Sequence, residues 1–213
     1  MTFFSIPAAF LIALILSPLA YGQSDRAQGV AGQPDPYVSV QESTDLLLAK
    51  LKELQPIFES DPQRFYAEVE QTLLPYIDFD GFSKRVMAKY YRLATEEQRQ
   101  QFEVKFRKAL IHTYASALVE FDNEKVVVQE PTSDQRSDDR ASINLEIHTS
   151  SGAVYPVEYQ LSLEGDKWLL YNVVINGINI GLQFRSQFNA DMQKYRKDIS
   201  QVIENWSVDV EAT

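Results

Sequence analysis

The chain of 213 residues contains no cysteine. Disulfides, thiol nucleophiles and cysteine metal sites are therefore excluded, and the chain fits oxidising and reducing compartments alike. Histidine is almost as scarce: His112 and His148 are the only two. Neither has a second histidine or a carboxylate at metal-ligand spacing such as H-E-x-x-H, so both read as surface or internally satisfied residues. The eight glycines are scattered, with no G-x-S-x-G, Walker loop or G-x-G-x-x-G among them. Asp78, Asp80 and Gly81 lack the register and the closing glutamate of a calcium loop. Positive charge is in deficit, with 20 basic against 30 acidic residues and a net charge of -10. That balance argues against a partner held by a broad positive field, such as nucleic acid or an anionic membrane surface. What is missing favours binding over catalysis, with no metal and no cofactor expected.

Long apolar runs are also rare, and the one present is at the start. Phe3 to Leu19 is almost unbroken, and Ala20, Tyr21 and Gly22 place small residues at the -3 and -1 positions of a cleavage site before Gln23. Residues 1–22 read as a secretory signal peptide. A membrane anchor is the alternative, because the run is near the lower length limit for a span and no Lys or Arg precedes it. Residues 23–36, with Gly29, Gly32, Pro34 and Pro36 and no hydrophobic period, read as a flexible lead-in. Residues 37–213 are expected to form one domain.

The first half of that domain is helical by pattern. Val40, Leu47, Leu48, Leu51 and Leu54 follow helical spacing, Asp61 before Pro62 looks like a cap with proline at the first helical position, and Asp78 caps a third segment through Tyr91. Thr95 followed by Gln98 is a capping-box pattern that opens a long helix reaching Phe121. On it Phe102, Phe106, Leu110, Tyr114 and Leu118 share one apolar, aromatic wall.

After Phe121 the period changes to two. Ala141, Ile143, Leu145 and Ile147 alternate with polar residues, as do Tyr155, Val157, Tyr159, Leu161 and Leu163, which predicts consecutive antiparallel strands. A three-residue loop at Ser150 to Gly152 sets Ile147 opposite Tyr155 and Leu145 opposite Val157. The segment Trp168 to Ile175 does not alternate: Leu169, Tyr171, Val173 and Ile175 are expected on one side and Trp168, Leu170 and Val174 on the other. The strand register after Gly165 is open, because the length of the turn there decides which side faces the helices. Leu182 to Ile203 reads as one closing amphipathic helix, and Pro131 to Arg140 as a charged, solvated strand connection. The fold class is α+β, an antiparallel sheet of about four strands packed with several helices.

The block YYRLATEEQRQQFEVKFRKALIHTYASAL, with Val157 to Leu161, Trp168 to Gly177 and Phe184 to Phe188, resembles the ordered motifs of the MlaC family of periplasmic phospholipid-binding proteins, also called toluene-tolerance auxiliary proteins. Asn172 stands where that family usually has aspartate, Asn179 where serine is usual, and Phe184 where tyrosine is common. The resemblance implies a periplasmic, non-enzymatic carrier of diacyl phospholipid, with an apolar lipid cavity between sheet and helices and phospholipid as its bound cargo. It further implies exchange between an outer-membrane lipoprotein and porin complex and the MCE-domain subunit of an inner-membrane ABC transporter, which maintains outer-membrane lipid asymmetry. A monomer is expected.

Matching the family's apolar positions to the sheet alternation gives Phe102, Phe106, Leu110, Tyr114, Tyr159, Val173, Ile175, Ile178 and Phe184 as tail-contact candidates. Arg185 is the candidate near the head group, with a structural ion pair as its other reading. Every apolar position named also fits plain core. Two rival functions stay open: a small-molecule enzyme on a curved sheet, which needs a buried ionisable pair facing the cavity, and a periplasmic adaptor with a solid core.

Overall fold

Short acidic and amide side chains start most of the helices. The computed structural model describes residues 33–119, 125–130 and 137–208. The expected signal peptide, most of the lead-in, Phe121 and most of the Pro131–Arg140 connection lie outside the described residues. Helix α1 spans Pro36–Leu54, and the Asp35 side chain accepts from the Tyr37 N–H at 2.9 Å. In α2, Pro62–Leu73, Asp61 accepts from Arg64, and in α3, Phe79–Met87, Asp78 accepts from Gly81. The longest of the described helices, α4, runs Glu96–Val119. Its capping box closes as the sequence predicts: Thr95 N–H donates to Gln98 Oε1 at 3.0 Å, and Gln98 N–H donates to Thr95 Oγ1 at 3.1 Å. Two donors that helix geometry leaves orphaned are thereby satisfied.

Two helical expectations are corrected. The third segment does not continue to Tyr91, because Ala88 takes φ 50° and the chain tightens into a 3-10 turn over Ala88–Arg92. The closing segment is two helices, α5 (Ile180–Lys194) and α6 (Ile199–Glu204), not one. Between them Arg196 and Lys197 both adopt positive φ, 54° and 67°. A left-handed conformation costs an L residue about 1–2 kcal/mol, and glycine avoids that cost while losing part of the gain to its freer unfolded chain. Lys197→Gly is therefore expected to raise unfolding free energy by about 0.5–1 kcal/mol, measurable by urea titration. A loss of stability would mean that the lysine side chain makes up for its own backbone strain.

Among the described residues the sheet has five strands in sequential antiparallel order, where about four were expected. These are β1 (Lys125–Val128), β2 (Arg140–His148), β3 (Val154–Glu164), β4 (Lys167–Ile175) and the two-residue β5 (Ile178–Asn179). Register between β2 and β3 is as the pattern predicts, with Ile147 opposite Tyr155 and Leu145 opposite Val157. Asn176 and Gly177, at φ 51° and 81°, make the tight turn into β5.

The β4 facing is corrected. A bulge interrupts its pairing with β3: Gln160 opposes Asn172 while Leu161 opposes Leu170, and Tyr171 is left over. One extra residue shifts the side-chain phase. Trp168 and Leu170, opposite Leu163 and Leu161, therefore share a face with Val173 and Ile175, opposite Tyr159 and Val157. Strict alternation had separated these pairs.

Two apolar clusters result. The helical one centres on Phe65, Phe102, Phe106, Phe188, Met192 and Trp206. The sheet cluster gathers the inner faces of β2, β3 and β4 with Val40 of α1. Ile77 and Ile180 pack against both clusters. Helix α1 also straddles them, with Val40 on the sheet side and Leu47, Leu48, Leu51 and Leu54 on the helical side. The end of the expected lead-in is held, since the Pro34 carbonyl accepts from Trp168 Nε1 at 2.8 Å and Pro36 is the first residue of α1.

Candidate functional site

The gap between the two clusters is the candidate site. Strand β4 forms one wall with Leu170, Val173 and Ile175. Facing it are Val69 and Leu73 of α2, Phe79 and Phe82 of α3, and Leu110, Ile111, Tyr114 and Ala115 of α4. Ile180 and Phe184 of α5 close one side and Ile77 another. The Tyr114 hydroxyl is the only polar side-chain group in this lining. Burial pushes its phenol above the ordinary tyrosine value.

Strand β4 is tied to the helical layer at two points. Asp78 N–H donates to the Leu170 carbonyl, and Leu170 N–H donates to the Tyr76 carbonyl, each at 2.9 Å. On the outer face Asn172 is buried, donates to Gln160 and Asn179, and accepts from the Gly181 N–H at 3.0 Å. A Cβ on Gly181 would sit 2.5 Å from Asn172 Oδ1, so only glycine lets the start of α5 come this close.

Of the ten residues expected from sequence, five line the cavity: Leu110, Tyr114, Val173, Ile175 and Phe184. Phe102 and Phe106 are fully buried one layer behind it. Phe106 packs edge-on against two lining rings, Phe82 at 5.1 Å and Phe184 at 5.5 Å, while Phe102 meets Phe188 at 4.9 Å and Trp206 at 5.1 Å. Tyr159 lies beside the cavity, opposite Val173, and burial pushes its phenol up to about 12. Ile178 is half-buried in β5, opposite Ile175. Arg185 is exposed on the outer side of α5, next to the inward Phe184.

The sequence reading missed Val69, Leu73, Ile77, Phe79, Phe82, Ile111, Ala115, Leu170 and Ile180 as site residues. Phe79 and Phe82 stand three residues apart in the third helical segment, a spacing that puts them on one helix face. Leu170 was hidden by the bulge, and Ile77 and Ile180 sit where helical and extended structure meet and no period is defined.

A charged cluster braces the helices behind the cavity. Arg107 reaches Glu70 of α2 at 2.9 Å and Glu103 one turn back at 2.5 Å, and all three are only about one-fifth exposed at 18–19%. Desolvation raises the Glu103 pKa above the ordinary carboxylate value. Arg107 opposes the shift, and Asp80 and Glu70 add to it. A carboxyl raised in the folded state contributes stability that is fully present below its unfolded pKa, near about 4.3, and is lost as pH rises through the folded pKa. Glu103→Gln is therefore expected to flatten the stability profile above that point and leave the protein no less stable at neutral pH. Arg107 keeps Glu70 in the variant. A steeper profile in thermal melts across that range would show that Glu103 acts mainly as the partner of Arg107.

Among the described residues no group of three or more His, Asp or Glu side chains is placed to hold a metal ion, and no helix is long and apolar enough to cross a membrane.

The sequence model of the MlaC protein family matches residues 41–208. The chain is 39% identical over 176 residues to the toluene tolerance protein ttg2D of Pseudomonas putida, covering 82% of this chain and 81% of that protein. It is 25% identical over 153 residues to the intermembrane phospholipid transport system binding protein MlaC of Haemophilus influenzae, covering 70% of each. Its fold is similar to that of a phospholipid-binding protein from Ralstonia solanacearum solved in complex with a phospholipid. That likeness has a TM-score of 0.70 at 24% identity and covers 80% of this chain and 94% of the other. Helices over a sequential antiparallel sheet, an apolar gap between them and a match through both halves of the chain have one common reading: this protein belongs to the MlaC family.

Proposed function

We propose that this protein is a periplasmic carrier of diacyl phospholipid, moving lipid between outer and inner membranes in support of outer-membrane lipid asymmetry. The observation that carries the reading is the cavity lining, which is apolar except for one tyrosine hydroxyl. Two acyl chains hold roughly thirty methylenes, and leaving them in water costs on the order of 24 kcal/mol at about 0.8 kcal/mol each. Only near-complete enclosure offsets that. The relatives' names point the same way. The lining has no carboxylate, amine or imidazole, which supports a carrier over an enzyme needing an ionisable pair. The gap itself supports a carrier over a solid-core adaptor.

The cavity volume is about 60 Å³. An engineered cavity that binds a single benzene measures roughly 150 Å³, so this is the closed form of the site. Loading requires the sheet cluster and the helical cluster to part. Ile77 and Ile180, half-buried and packed against both clusters, are the first contacts to yield, with Val173 of the sheet wall beside them.

In the open form Leu110, Tyr114, Val173, Ile175 and Phe184 contact the tails, and Tyr159 and Ile178 extend the β4 wall. Phe102 and Phe106 hold the wall from behind, and Arg185 stands at the surface for a head group. Residues 1–22 direct export, the mature chain works as a monomer, and phospholipid is cargo with no cofactor required. The exchange partners in this reading are an outer-membrane lipoprotein and porin complex and an MCE-domain subunit of an inner-membrane ABC transporter. Mass spectrometry of a solvent extract from gently purified native protein tests the core of it. Stoichiometric phospholipid is the expected result, and its absence would sink the reading.

A further inference from the structure

We propose that the closed cavity accepts a second class of guest, monocyclic hydrocarbons of benzene size, in competition with lipid. This rests on the reading of the cavity as a cargo site. An apolar cavity of this kind stays dry, so a guest entering it displaces no hydrogen-bonded water. Its rings are placed to receive another ring. Phe82 and Phe184 both border the gap with centroids 6.4 Å apart and planes tilted by 54°, an arrangement against which a third ring can lie edge-on or offset.

The walls also have slack where it is needed. Leu73, Ile77, Val173 and Ile180 line the gap but are only half-buried, so they can shift outward without breaking a filled core. Benzene needs roughly 150 Å³, so the 60 Å³ present must grow by roughly 90 Å³, much less than two acyl chains require. A small hydrocarbon is thus accommodated by local movement, while lipid requires the layers to separate. A guest that occupies the nearly closed form holds the walls together, so hydrocarbon and phospholipid exclude each other.

The test is a benzene titration of delipidated full-length mature protein, read by thermal midpoint and by methyl NMR of the lining Leu, Ile and Val residues. A saturable rise in midpoint is expected, with shifts confined to the lining and slower uptake of a fluorescent phospholipid. Benzoate, whose charge no group in the lining balances, should bind at least tenfold more weakly. Ala115→Leu, which grows into the gap, should abolish the benzene response, while Leu93→Ala at a position 72% exposed should keep it. No saturable response in the delipidated protein, shifts spread outside the lining, or equal binding of benzoate would each overturn the proposal. If Ala115→Leu does not fold, the benzene and benzoate comparison on the unaltered chain decides alone. Lipid content of untreated protein separates the two readings. Lipid present with no benzene binding defeats only this inference, and neither one binding defeats the cargo site as well.

Discussion

Alanine at Phe106 should cost about 3–5 kcal/mol of unfolding free energy, the range for emptying a fully buried aromatic site. Phe106 has no exposed surface, and its ring contacts Phe82, Phe102, Phe184 and Trp206 at centroid distances of 5.1 to 6.2 Å. Those neighbours come from α3, α4, α5 and the segment after α6, so no one element can relax to fill the hole. Domains of ordinary stability have about 5–15 kcal/mol in total. The variant should therefore unfold at much lower urea with an unchanged slope. Lipid occupancy should fall as well, because Phe82 and Phe184 lose the ring that positions them. A cost below about 1.5 kcal/mol, the level of a volume-conserving swap, would show that the aromatic cluster repacks and does not brace the cavity.

Glutamate at Val173 should leave the fold standing and remove lipid. Val173 lies towards the end of β4, lines the gap and keeps part of its surface accessible, so a carboxylate there can turn to solvent at the edge of the gap as long as no lipid covers it. Acyl chains beside that carboxylate would strip its water, a cost of several kcal/mol that corresponds to more than a tenfold loss of occupancy. Val174→Glu is the matched control. Its side chain points to the opposite face, in register with Glu158 and Asn179, and lipid content should be retained. A folded Val173→Glu protein still carrying stoichiometric phospholipid would mean that β4 is not a wall of the cargo site.

Much of this architecture is legible in residue order, for reasons specific to each element. Thr95 and Gln98 satisfy each other's backbone within one turn, so the start of α4 needs no tertiary information. The β2–β3 register follows from a short loop and two alternating rows. Depth is a different matter. Phe106, Leu110 and Tyr114 occupy one helical face, but only the long-range approach of Trp206 and Phe184 sets Phe106 behind the wall and leaves Tyr114 on it. Periodicity carries direction, and it has no measure of distance from a gap. The break between α5 and α6 was missed because Arg196 and Lys197 look like helix formers. Asp198, which caps α6 by accepting from Gln201 N–H at 3.1 Å, was the signal available.

The unpaired residue in β4 has a bearing on how this chain can change length. Excising Tyr171 would leave Leu170 facing in, Asn172 facing out and Val173 facing in, so the remaining strand would simply count regularly against β3. Excising Asn172 would restore the same count with Tyr171 in its place, but dropping an interior residue of β4 on either side of this pair would turn part of the strand over and present Trp168 and Leu170, or Val173 and Ile175, to solvent. Gene-level loss of a single codon thus keeps the facing of this strand only at the Tyr171–Asn172 step and reverses part of it on either side.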